Sequence, residues 1–142
     1  MEKLGMLRRK VRRRATQPGG RRTGRRTDPS LLVRRTLRSG QRIRYRGNVI
    51  ILGDVNPGAE VVAGGDIVVL GALRGVAHAG AAGNDQAIVA AYRLRPLQLR
   101  IGRVVARPPE EGTDAPGMPE VARLWENRVV IDHHLPYGVK GG

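Results

Sequence analysis

An all-β solenoid of about four short coils is the fold class this sequence predicts, and three observations carry it. The first is an internal repeat: Gly47-Asn48-Val49-Ile50-Ile51-Leu52-Gly53 returns, position by position and without a gap, as Gly65-Asp66-Ile67-Val68-Val69-Leu70-Gly71. The second is punctuation, since four- to five-residue apolar runs alternate with Gly or Asn/Asp corners. The third is composition: aromatics are 3% of the 142 residues, with no Phe, so Val, Ile, Leu and Ala must fill the core. A repeat as short as the step from Gly47 to Gly65 has no room for a helical hairpin. It suits one coil of a solenoid, which buries its inward residues by stacking on its neighbours.

In chain order, residues 1–36 carry 13 Lys or Arg against Glu2 and Asp28, whereas residues 37–142 carry 13 against 10 acids. The net charge of +14 therefore belongs mostly to an N-terminal segment with little to bury, and residues 1–35 are expected to be a disordered basic tail. Arg38-Ser39-Gly40-Gln41 opens the folded part, and the step from Gly40 to Gly58 is the same as that from Gly47 to Gly65. Val55-Asn56-Pro57-Gly58-Ala59 is answered by Leu73-Arg74-Gly75-Val76 with one residue deleted, which puts Gly40, Gly58 and Gly75 at one recurring corner. Glycine suits a corner that needs positive φ or close backbone approach. A third coil runs through Gly83-Asn84-Asp85, Ala87–Tyr92 and Leu97–Ile101. After a Pro-rich acidic loop, Ala122–Trp125 and Val129–Asp132 read as two last strands, and 136–142 as a flexible tail. The period by itself is equally compatible with a left-handed hexapeptide solenoid.

The strands Val49-Ile50-Ile51-Leu52 and Ile67-Val68-Val69-Leu70 are apolar at every position, although alternate residues of a strand point to opposite faces. One set fills the core. The other forms an apolar patch of the kind a soluble monomer rarely leaves bare, so a two-fold homodimer through these strands is expected.

Several chemistries lack their residues. Without Cys there is neither a disulfide framework nor a thiolate metal site. Ser39 has no G-x-S-x-G context, and Gly53 and Gly64-Gly65 lack the Gly-Lys-Ser/Thr of a phosphate loop. His133 and His134, adjacent on a strand, point to opposite faces and chelate poorly together; His78 reads as a packing residue. The expectation is a non-enzyme with no cofactor and no metal. No stretch approaches the ~20 apolar residues of a membrane span, nor is there an apolar secretory core, so a cytoplasmic protein is expected.

Arg38-Ser39-Gly40-Gln41-Arg42-Ile43, together with Gly53–Val61, Gly64-Gly65-Asp66-Ile67, Leu73–Gly80 and Leu97-Gln98-Leu99-Arg100-Ile101, resembles the C-terminal domain of MinC, the bacterial division-site inhibitor. Coverage is about residues 36–135. The resemblance implies a right-handed, three-sided β-helix that dimerises through a sheet face. It implies docking on a MinD-type membrane ATPase through Arg38, Ser39, Gly40 and Gln41, extended by Gly58 and Glu60, and a contact with the C-terminal tail of FtsZ. Membrane recruitment would be indirect, through the ATPase. Proteins of this family also carry a folded N-terminal domain that antagonises FtsZ polymers; the Arg-rich segment departs from that pattern.

Two other function classes are open to the same residues. A bactofilin-like cytoskeletal solenoid would stack end to end, against which the Pro-rich loop argues. A nucleic-acid binder working through the basic tail would want stacking aromatics or a basic folded face, and the sequence offers neither.

Overall fold

The computed structural model describes residues 28–107 and 118–133. The expected basic segment lies outside these residues up to position 27, as do most of the Pro-rich loop, the expected tail and His134. The described residues form eleven strands and no helix: β1 (Ser30–Val33), β2 (Arg42–Tyr45), β3 (Asn48–Ile51), β4 (Glu60–Ala63), β5 (Ile67–Leu73), β6 (Val76–Ala79), β7 (Val89–Leu94), β8 (Gln98–Ile101), β9 (Val104–Ala106), β10 (Glu120–Trp125) and β11 (Arg128–Asp132).

They wind into four stacked coils. One side is the sheet β1-β3-β5-β7-β10-β11 and a second is β2-β4-β6-β8-β9. The third is a narrow ladder in which Leu37, Val55 and Leu73 pair in parallel. Ser30 pairs with Asn48 and Val49 with Ile67, both at the offset of the sequence repeat, so the repeat is the rung spacing itself. The first coil starts at β1, inside the end of the segment that the sequence placed in the basic tail. Its Leu31-Leu32-Val33 pairs with Val49-Ile50-Ile51 and repeats it, a likeness masked by the Arg residues nearby. At a later corner Val76 pairs with Glu60, so that corner is shortened by two residues and not by one.

Why Gly, Asn and Asp recur at the corners is visible in the hydrogen bonds. The Asp66 N–H donates to Asn48 Oδ1 at 2.8 Å, and the Ile88 N–H donates to Asp66 Oδ1 at 2.9 Å. Asp54 N–H donates to Thr36 Oγ1, and Ala72 N–H to Asp54 Oδ1. Each side chain thus accepts from a backbone N–H of the following coil, a group whose burial unpaired would cost about 1–3 kcal/mol. Gly65 leaves the space that the Asn48 carboxamide occupies, where any Cβ would overlap it.

Inside, Leu37, Val55, Leu73 and Leu94 form one buried column, while Val49, Ile67, Val89 and Ala122 form another. The lumen is narrow, and Ala63, Ala77, Ala79 and Ala91 fill the tighter places. Burying each Val, Leu or Ile contributes roughly 1.5–3 kcal/mol. Both sheets end in antiparallel strands, β9 on β8 and β10-β11 on β7, so the parallel stacking stops there.

Candidate partner-binding site

The Arg38–Gln41 segment is the turn that leads from the third side into β2. Gly40 adopts φ +88° with open space around its α-carbon, and the Gln41 N–H donates to Arg38 O at 2.9 Å. The Gly40 N–H donates to Gly58 O in the next coil, also at 2.9 Å, which ties the two corners together. Gly58 has φ +91°, and a Cβ there would overlap Ser39 Oγ. A side chain at Gly58 is therefore opposed twice, by backbone conformation and by space.

All four residues of the turn are exposed. Gln41 is not a free amide fork: its Oε1 accepts from the Arg38 N–H at 2.8 Å and from Arg35 Nη1 at 3.3 Å. That arrangement stiffens the turn and leaves the exposed amide nitrogen as the part of the side chain not engaged in it. Glu60, at the start of β4, pairs with Arg42 at 3.2 Å. The structure therefore gathers Arg38, Ser39, Gly40, Gln41, Gly58 and Glu60 at one corner, spread over two coils. Because Arg42 and Glu60 are substantially solvated, their ion pair orients the carboxylate more than it stabilises the fold.

The eight apolar residues expected at a dimer interface divide in two. Val49, Ile51, Ile67 and Val69 are fully buried in the coil core and are corrected out of any interface. The strand alternation turns them inward. Ile50 and Val68 face outward in one column with Leu32, while Leu52 and Leu70 are exposed at 39% and 47% along the same sheet. Tyr92 continues the apolar surface on β7.

The outward face of the second sheet is different. His78 pairs with Arg100 in register, and Arg44 lies two rungs away through Val62. Burial is the main cause that holds the His78 imidazole below its ordinary value, and the Arg100 and Arg44 charges act in the same direction; the hydrogen bond with Gly102 O opposes them. Among the described residues no group of three His, Cys, Asp or Glu side chains could hold a metal ion. Glu120, the one buried charged residue among those described, escaped the sequence reading, because it follows the Pro-rich loop where the repeat has already ended.

Comparison with known proteins matches residues 31–134 to the family described as septum formation inhibitor MinC, C-terminal domain. The probable septum site-determining protein MinC of Heliobacterium modesticaldum is 58% identical over 125 residues, 88% of this chain and 40% of that protein. Its counterpart in Symbiobacterium thermophilum is 62% identical over 104 residues, 72% of this chain and 45% of that protein. The chain thus spans less than half the length of either. Among solved structures, a chain of the MinC:MinD cell division protein complex of Aquifex aeolicus is similar, with a TM-score of 0.67 and 45% identity, covering 74% of this chain and 86% of that one.

Proposed function

This chain belongs to the MinC C-terminal domain family, and from that premise we propose that it is a non-enzymatic adaptor in bacterial division-site selection. It binds a MinD-type membrane ATPase through the corner of Arg38, Ser39, Gly40 and Gln41, with Gly58 and Glu60 beside it. The observation that carries this reading is the turn itself, exposed at its side chains and tied at its backbone to Gly58. A partner meeting such a turn orders few new torsions, and that lowers the cost of association. The Aquifex aeolicus relative is a MinC:MinD complex, which supports the same partner class here.

Around that contact the adaptor is a homodimer through the outward residues Ile50, Leu52, Val68 and Leu70, and it engages the C-terminal tail of FtsZ to block misplaced septa. Among the described residues no helix is long and apolar enough to cross a membrane. The adaptor is cytoplasmic and reaches the inner face of the membrane through its ATPase.

The test is binding of the full chain to the ATP-bound MinD-type ATPase of the same organism on lipid vesicles. Arg38→Ala removes a guanidinium whose planar fork lysine does not reproduce, and is expected to weaken binding at least about tenfold, as truncation of a central contact does. Arg103→Ala, in the β8–β9 turn, serves as the control. Equal binding by the unmodified chain and the Arg38 variant removes this assignment.

A further inference from the structure

The net positive charge of this chain is carried by one end of the solenoid. Residues 1–46 hold 17 of the 26 Lys and Arg and two of the 12 acids, Glu2 and Asp28, whereas residues 47–142 hold 9 cations against 10 acids. Within the described residues that charge is the first coil, where Arg34, Arg35, Arg38, Arg42, Arg44 and Arg46 are all exposed. The second coil, 48–65, contains no Lys or Arg. Arginines return in the fourth coil, but there the closing hairpin brings Glu120, Glu126 and Asp132. Of the six first-coil arginines, Arg42 alone forms an ion pair among the described residues, with Glu60. The other acids on or beside this coil are Asp28 and Asp54.

These arginines ring the coil. Arg34 and Arg35 follow β1, Arg38 sits in the turn into β2, Arg42 and Arg44 face outward on β2, and Arg46 lies between β2 and β3. One turn of the solenoid rises by ~4.8 Å, so the ring is close to a plane across its axis. The end it surrounds is covered by no described strand, since β1 and β2 are the outermost strands of their sheets. Leu31, Ile43 and Tyr45 stay half-buried there, although their partners one coil on, Val49, Val61 and Ala63, are fully buried. Residues 1–27, with 11 Lys or Arg, join the fold at this same end.

We infer that this end faces lipid: the first coil lies on the anionic headgroups of the inner leaflet once the ATPase has brought the chain there. That placement rests on the proposed adaptor reading. The charge of the occupant follows from the membrane itself, because the cytoplasmic leaflet carries a negative surface potential that attracts polybasic protein surfaces. A ring across the axis also suits a flat occupant, whereas a single extended peptide would meet one side of the coil. Nucleic acid would want aromatics for stacking, and the exposed Tyr92 and Trp125 belong to β7 and β10, away from this coil. The contact is screened by salt and weak alone. It adds to the ATPase contact, because a chain already held at the surface meets the headgroups at high effective concentration.

The experiment is co-sedimentation of the full chain with phosphatidylglycerol/phosphatidylethanolamine vesicles, first without the ATPase and then with its ATP-bound form. Arg34→Gln/Arg46→Gln, at two exposed corners outside the strands, is compared with Arg100→Gln/Arg103→Gln, which removes the same charge from the fourth coil; each is checked for an unchanged melting temperature. Without the ATPase, the unmodified chain is expected to bind these vesicles, to be released by salt and to ignore phosphatidylcholine vesicles. The first-coil variant should bind at least about tenfold more weakly, while the fourth-coil variant and Arg34→Lys/Arg46→Lys stay within about twofold of the unmodified chain. Equal binding by the two glutamine variants, or a loss as large in the lysine variant, overturns the inference. So does tighter binding to duplex DNA than to the vesicles with the same dependence on Arg34 and Arg46, which assigns the cations to nucleic acid. The increment on adding the ATPase tests the adaptor reading separately: its absence in the unmodified chain sinks that reading, whatever the vesicles alone show.

Discussion

The Glu120 carboxylate accepts a hydrogen bond from the backbone N–H of Leu94, 2.8 Å from its Oε1, and the contact is buried. In earlier coils the equivalent N–H groups of Val55 and Leu37 donate to carbonyls of the coil that follows, Ala72 and Asp54. Among the described residues no such rung follows the fourth coil, and a side chain supplied by β10 accepts instead. Glu120→Ala leaves the Leu94 N–H buried without an acceptor, which costs about 1–3 kcal/mol. The melting temperature should fall by several degrees, and for Glu120→Gln, which keeps an acceptor oxygen, by less. An unchanged melting temperature for the alanine variant would remove the capping role.

His78 makes stability depend on pH in a defined direction. Its folded pKa lies below the ordinary 6.5, so between the two values the unfolded chain binds more protons than the folded one. The contribution is fully present above the unfolded pKa and is lost as pH falls through that window. The urea midpoint of the unmodified protein should therefore drop more between about pH 7.5 and about pH 5 than that of His78→Gln. Parallel curves for the two proteins would show that the imidazole is not desolvated.

Gly40 and Gly58 share a positive φ but differ in surroundings. Gly40→Ala should meet only the left-handed backbone penalty, roughly 1–2 kcal/mol. Gly58→Ala adds the overlap with Ser39 and should lose clearly more stability in chemical denaturation. Introducing Ser39→Gly beside it should return part of that excess, since the hydroxymethyl group it would strike is gone. Equal losses at the two glycines would mean that the corner can move apart freely.

The exposed apolar row predicts the oligomeric state. Light scattering of the unmodified protein at micromolar concentration should give twice the chain mass, and Leu70→Lys or Leu52→Glu should give the chain mass with the melting transition of the fold retained. A monomer in the unmodified protein excludes this face as an interface. Val69→Lys is a useful contrast: Val69 is fully buried in the lumen, so the same charge there should unfold the domain instead of dividing a dimer.

By itself the sequence determined the solenoid class and the rung spacing, because slipping a strand by a single position would exchange core for surface along its length. It also marked the corner at Arg38–Gln41 and Gly58, because the glycines Gly40 and Gly58 recur there at the rung spacing, although only the backbone shows that these two have positive φ and Gly75 does not. Which members of Val49–Leu52 and Ile67–Leu70 face water was decided only by the direction in which each strand enters the sheet; an all-apolar run carries no alternation from which to read it. The start of the first coil at Ser30 was likewise hidden, because one short Leu/Val segment has no periodicity until its partner β3 is beside it. The same holds for Glu120. Glu120 is remote from Leu94 along the chain, and only the antiparallel return of β10 onto β7, which brings neighbouring strands within ~4.8 Å, makes it a cap.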